Sequence, residues 1–232
     1  MRWPRIARKD VRDASRTRTL LSTLGIFVLI GGVQGYLSVT AGSGNEASEM
    51  LPLAAVSGMV LIVPLVALAL SYEGVAGPRT SGSLQFLLGL PYSRGDYFLG
   101  TYVGRATLLA GGVVSGFLAL AVGAAVRGVL VSPTKTVVAC LLAVLLGVVF
   151  VAIGHAISAT APSTGTAGAL AFGAFVLLFF FWSSIPSTLA YVVNGFSRPE
   201  TLPGWAPYVR SLSPVTSFQH LVDVFVAGPD IE

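Results

Sequence analysis

A chain of 232 residues in which 54% are hydrophobic and only 10% are Asp, Glu, Lys or Arg is too poor in charge for a water-soluble domain, where about a quarter of residues are charged. The net charge of +4 does not point to nucleic acid, because the basic residues crowd the N-terminus ahead of a long apolar run, where membrane topology accounts for them. A lone cysteine, Cys140, excludes an internal disulfide framework.

Residues 1–19 hold Arg2, Arg5, Arg8, Lys9, Arg12, Arg16 and Arg18. Trp3, Ile6, Val11 and Ala14 give this stretch a thin apolar face, as in a helix lying in the headgroup layer, with a disordered basic tail as the alternative. Five apolar runs follow, at 20–39, 51–72, 101–126, 136–157 and 166–193. Each is long enough to cross a hydrocarbon core as a helix, which takes about 20 residues. They are continuously apolar and do not alternate, which argues against a β-barrel. The first is longer than the apolar region of a signal peptide, about 7–15 residues, so cleavage is not expected. The expected fold class is an all-α integral membrane protein, a polytopic helical bundle of about five spans, with residues 1–232 as one transmembrane domain.

The loop after the first run has Glu46 and Glu49 but neither Lys nor Arg. The positive-inside rule therefore places the N-terminus in the cytoplasm of a multi-pass protein of the cell (plasma) membrane. Segment 73–100, with Arg79 and Arg94, then faces the cytoplasm too. Arg105, near the start of the third run, is close enough to that face to snorkel to it. Arg127 and Lys135 fall on the outside, against the rule, and are outweighed by the N-terminal cluster.

Glycines recur within the first and third runs: Gly25, Gly31, Gly32 and Gly35, then Gly111, Gly112, Gly116 and Gly123. Small residues let helices approach closely in lipid. Pro64 and Pro186 are expected to kink their spans. Residues 194–214 are polar and Pro-rich, and 215–227 are amphipathic but too short to span. The whole 194–232 segment is expected outside, with 215–227 lying at the outer interface or dipping in.

Several chemistries lack their residues. No G-K-[ST] motif occurs, and the only lysines are Lys9 and Lys135, so ATP cannot bind through a P-loop here. H-E-x-x-H is absent. His155 and His220 lie in different segments without a carboxylate or Cys at ligand spacing, and His155 reads as a polar contact in a bundle or near an interface. Ser57 and Ser115 are each followed by Gly but lack the first glycine of the G-x-S-G of intramembrane serine proteases. No catalytic, cofactor-binding or metal-ligating residue is expected. An intramembrane hydrolase, or a membrane anchor or assembly factor docking a cytoplasmic protein, are the alternatives to a transport function.

The informative stretch is 71–105. Glu73 ends the second span at the membrane edge, and Gly77 and Pro78 should break the helix. Ser81 or Ser83 could cap a short helix through Gly89, apolar at Leu84, Phe86, Leu87 and Leu88, with Pro91 as its stop. Ser93 then starts the third span, with Asp96 in the first turn where a carboxylate favours the helix dipole. Such a segment is either a plain membrane-surface loop or a docking knob for a cytoplasmic partner.

The ordered pattern Glu73, Gly77, Arg79, Gly82-Ser83-Leu84, Leu87-Leu88, Pro91, Ser93-Arg94 and Leu99-Gly100 resembles the loop of ABC-2 type ABC transporter permeases. Lys9-Asp10-Val11-Arg12-Asp13 with Arg16, Arg18 and Leu20-Leu21 resembles that family's N-terminal elbow, and Leu212-Ser213-Pro214 its last extracellular segment. The resemblance implies that the helix between spans two and three is a coupling helix. By it, Glu73, Arg79, Gly82, Leu84 and Arg94 are coupling or ATPase-docking positions, and Glu73 or Arg105 is a latch or a simple anchor at the membrane edge. It implies a cytoplasmic ABC ATPase subunit that binds ATP and Mg, and a second permease subunit in a homodimer or heterodimer. Membrane lipids are further partners, and export is the expected direction. Family members ordinarily have six spans, whereas five are legible here; the sixth is missing from this sequence or 215–227 stands in for it. The scarcity of ionisable groups in the spans favours a lipid-like or apolar cargo.

Overall fold

The computed structural model describes residues 3–38, 45–83, 93–197 and 201–227, and these are helical, with no strand among them. In chain order they form α1 (Trp3–Arg16), α2 (Arg18–Ser38), α3 (Asn45–Ser71), α4 (Ala76–Thr80), α5 (Arg94–Val126), α6 (Pro133–Thr160), α7 (Thr164–Val176), α8 (Ile185–Val193), α9 (Ala206–Ser211) and α10 (Pro214–Val222). Among the described residues five helical stretches are long and apolar enough to cross a membrane, and each contains or closely overlaps one expected run. The helices overrun the expected ends where local chemistry supports them. Ser93 caps α5: its Oγ accepts from the Asp96 N–H at 3.0 Å, and the Asp96 carboxylate bonds back to the Ser93 N–H. This reciprocal box starts the helix at Arg94, a turn and more ahead of the apolar run.

Two helix pairs make the bundle. Ascending α5, Gly112 meets Phe27 and Thr23, Gly116 meets Phe27 and Gly31, and Leu120 meets Gly35. The contacts rise together along both helices, so α2 and α5 run parallel. A Cβ on Gly31 would strike the Gly116 carbonyl oxygen, which is why this seam is built from glycine. The other pair is α3 with α6, where Gly147 meets Val63 and Gly154 meets Leu68 and Ser71. These contacts also rise together. First and third spans therefore share one direction and second and fourth share a direction, as alternating crossings require. Phe27, Met59, Val63, Leu109, Val113 and Phe150 close the core between the pairs.

At the face remote from α1, Lys135 pairs with Glu49 at 2.8 Å and the Arg127 guanidinium stands 4.9 Å from the centre of the Tyr36 ring. The two basic residues that run against the positive-inside rule thus each have a partner. Pro64 does not interrupt its span: α3 is helical through it. The fifth span is interrupted ahead of Pro186. A π turn at Leu177–Phe181 and a 3₁₀ turn at Trp182–Ser184 separate α7 from α8. Proline has no N–H and crowds the carbonyl four residues back, here that of Trp182. The Trp182 carbonyl accepts from the Ile185 N–H within the 3₁₀ turn, and the C-terminal segment ties onto the break: Ser213 Oγ donates to the Leu178 carbonyl at 3.1 Å, and Trp182 Nε1 donates to the Val209 carbonyl at 2.9 Å. Val215, Phe218, Val222 and Val226 are buried in the core, so 215–227 packs against the spans.

Candidate functional site

The connection between α3 and α4 falls earlier than expected. The helix breaks at residues 72–75, and α4 begins at Ala76 and runs through Gly77 and Pro78. Pro78 costs little there, because the first-turn N–H groups of a helix have no intrahelical partner. Val75 offers α4 no side-chain cap. The cap comes from α6 instead: Ser158 Oγ, fully buried, accepts from the Val75 and Ala76 N–H groups, both at 3.0 Å. The exchange runs both ways. Arg79 Nη1 donates to the Ala161 carbonyl at 2.9 Å, and Nη2 donates to the Ala159 carbonyl at 2.8 Å. Those carbonyls end α6 and lack acceptor duties within it. Each helix therefore supplies the terminal partner that the other lacks.

Beneath this junction lies His155, fully buried on α6. Its Nε2 is 3.0 Å from Thr101 Oγ1, and the Phe98 and Tyr102 rings stand edge-on to it. Thr101 gives its own proton to the Tyr97 carbonyl at 2.9 Å, which makes Nε2 the donor and Nδ1 a neutral nitrogen without a hydrogen-bond partner. Gly74 closes over the ring: a Cβ there would lie 2.7 Å from His155 Cε1. Tyr97 reaches across from α5 to donate to the Gly74 carbonyl at 3.0 Å. The polar contact expected of His155 is thus a keystone between α3, α5 and α6.

The elbow is a helix, α1, and it packs on α5. Gly100 receives Ile6 and the Trp3 carbonyl, and Gly104 receives Asp10. Arg105 Nε stands 3.1 Å from Asp10 Oδ2, with the side chains 25% and 16% exposed. The approach is an ion pair, for neither atom has an aligned hydrogen bond. Burial lifts the Asp10 carboxyl above the usual carboxylate range, and the Arg105 charge opposes that rise. Arg105, expected as a latch or a simple anchor at the membrane edge, is paired with Asp10 of the elbow.

Glu73 is exposed and accepts from the Tyr72 hydroxyl at 2.9 Å. It borders a groove of about 490 Å³ between α3 and α7, lined by Leu68, Gly168, Phe172 and Phe175. Arg79 and Arg94, separated in sequence, line one cavity of about 540 Å³ together with Val75, Tyr97, Phe98 and Ala159. Gly82 follows α4 with φ of 74°, a left-handed turn suited to glycine. Leu84, and with it the helix expected through Gly89, lies outside the described residues.

Sequence reasoning missed Asp10 as the partner of Arg105 and Ser158 as a cap. Asp10 had a signal: it follows Trp3 and Ile6 at helical spacing, a carboxylate on the apolar face. Ser158 had none, since its role depends on a segment far away in sequence. The hydrolase alternative gains no geometry. Ser115 and Ser57 donate to carbonyls of their own helices, and His155 Nε2 is held by Thr101. Among the described residues no group of three His, Cys, Asp or Glu could hold a metal ion.

Residues 5–231 match a family described as ABC-2 family transporter protein. The chain is similar to a protein named probable ABC transporter permease protein NosY of Pseudomonas aeruginosa, 28% identical over 225 residues that cover 92% of this chain and 78% of the relative. It is similar also to the protein of that name from Stutzerimonas stutzeri, 31% identical over 205 residues covering 85% and 74%. With five helices among the described residues long and apolar enough to cross a membrane behind that match, the chain belongs to the ABC-2 transporter family and is a membrane permease subunit of an ABC transporter.

Proposed function

We propose that this permease couples to a separate cytoplasmic ATPase subunit through the segment around α4. The observation that carries this reading is the fixing of α4 at the α1 face by Ser158 and Arg79, with Glu73 and Arg94 left exposed beside it. A segment that must pass on a partner's movement needs a rigid hold on the spans and exposed groups for the partner. Glu73, Gly82 and Arg94 supply the docking surface, with Leu84 beyond the described residues, and Arg79 holds the segment in place.

In this reading the α1 face is cytoplasmic in the cell membrane, consistent with its crowd of basic residues. ATP and Mg bind in the ATPase subunit. A second permease subunit completes the pathway, and closure of the ATPases tilts the spans as rigid bodies toward export. The apolar groove between α3 and α7 favours a lipid-like or apolar cargo.

The test is affinity purification of the chain from its native membrane in gentle detergent, with mass spectrometry of what accompanies it. An ABC ATPase should co-purify, and Arg94→Glu together with Glu73→Ala should weaken its retention by tenfold or more. If the intact chain brings down a cytoplasmic protein that hydrolyses no ATP, it is an anchor or assembly factor.

A further inference from the structure

We infer that Arg79 and Ser158 are positioning residues that make α4 move with α6, so that movement delivered at α4 enters the fourth and fifth spans. This rests on the coupling reading above.

The covalent link between α3 and α4 is the non-helical stretch 72–75. Across it the helical ladder thins to turn bonds, with the Gly74 N–H on the Ser71 carbonyl at 3.0 Å and the Gly77 N–H on the Glu73 carbonyl at 2.9 Å. Toward α6, by contrast, α4 has four hydrogen bonds, two at its first amides and two from Arg79. Ser158 is fully buried, and water does not compete for it. Ala76 is itself buried against Ala161 and Ala167, with Tyr72 packed on the same small cluster. Ala161 is the C-cap of α6 and Ala167 lies in the first turns of α7. The short turn between these two helices is thus part of the same unit. The tie to α5 is thinner: the Tyr97 hydroxyl bonds the Gly74 carbonyl, upstream of α4. A push on α4 therefore meets the end of α6 and the start of α7 before it meets α5.

The chemistry at Arg79 separates this role from docking. Its planar fork bridges two carbonyls at once, which a lysine ammonium on a single stem does not reproduce, although lysine keeps the charge. A docking cation would tolerate lysine; a bridge between Ala159 and Ala161 would not.

The experiment uses the full chain with the ATPase subunit that co-purifies, in proteoliposomes. Cys140→Ala removes the native thiol, and Leu170→Cys places a fluorophore on the exposed side of α7, away from the groove toward α3. ATP with Mg is added and the fluorescence change is read beside ATPase retention. Arg79→Lys, which loses one charge-assisted hydrogen bond, should keep the ATPase bound while the α7 signal falls roughly tenfold, and Ser158→Ala, which loses two neutral ones, should lower it in the same direction. Ser158→Thr, which keeps the hydroxyl, should restore it. Thermal melting of each variant separates this loss from misfolding. A wild-type α7 signal in Arg79→Lys overturns the inference, as does Arg79→Ala losing the ATPase while Arg79→Lys retains both ATPase and signal. If the wild-type chain retains no ATPase, the coupling reading itself fails and the inference goes with it.

Discussion

Asp10 on α1 and Arg105 on α5 stand 3.1 Å apart at the level where the elbow crosses the third span. Burial opposes the carboxylate more strongly than the guanidinium supports it, so the pair fixes where α1 sits without adding much stability. Replacing Asp10→Leu and Arg105→Leu together should be neutral or stabilising by about 1–4 kcal/mol. Arg105→Asp alone, which sets two carboxylates face to face, should cost roughly 3–5 kcal/mol. Thermal melting of the purified chain in detergent reads both.

The same group gives a pH dependence. The folded carboxyl of Asp10 holds its proton above the ordinary value of 3.8, so the folded state binds more protons than the unfolded one in that range. Its contribution to stability is fully present below 3.8 and is lost as pH rises through the raised value. Relative to Asp10→Asn, the wild-type melting temperature should therefore fall over that window and level off above it. Arg105→Met removes the opposing charge and should extend the fall to higher pH. A wild-type curve that runs parallel to Asp10→Asn throughout would show that the carboxyl is not buried.

Gly74→Ala should be costly and specifically repairable. The new methyl would meet His155 Cε1 at 2.7 Å and Nε2 at 2.9 Å, and Thr101, Phe98 and Tyr102 keep the ring from turning away. Overpacking of this kind costs about 1–3 kcal/mol. In a double-mutant cycle with His155→Ala, the two changes should couple by about 0.5–3 kcal/mol. Strict additivity would mean that Gly74 does not lie over the imidazole.

The glycines of α2 should separate sharply. Gly31→Ala drives a methyl into the Gly116 carbonyl, whereas Gly25→Ala has nothing within 4 Å. The first should lose about 1–3 kcal/mol of stability. The second should be neutral or gain up to about 1 kcal/mol from helix propensity. Equal melting temperatures for the two would contradict the α2–α5 seam.

Ser213→Ala strips the acceptor at Leu178 of its partner in the interrupted fifth span. Hydrogen bonds between membrane helices average about 0.6 kcal/mol and reach about 1.7 kcal/mol, so the global effect should be small. Amide exchange should nevertheless quicken between residues 177 and 184, where the break depends on α9 and α10. Trp182→Phe, which removes the bond to Val209, should do the same.

The spans, their number and the Ser93–Asp96 cap were legible from residues because they depend on local chemistry. An apolar run of sufficient length is a spanning helix in lipid whatever surrounds it, and a serine three residues before an aspartate caps its own helix. The glycine spacing in the first and third runs announced close helix contacts. It did not say that Gly31 meets Gly116, because hydropathy fixes depth in the bilayer and not which helix stands beside which. The same limit hid the Asp10–Arg105 pair, although Asp10 lay on the apolar face of its helix. Gly77-Pro78 looked like the break after the second span, yet the break falls at 72–75, because Ser158 reaches the Val75 and Ala76 amides from a distant part of the chain. Whether 215–227 rests on the surface or packs into the bundle turned on whether Val215, Phe218, Val222 and Val226 found apolar partners among the spans. Terminal amides and carbonyls of helices must find partners, and only the packing of helices distant in sequence decided which side chains would meet them.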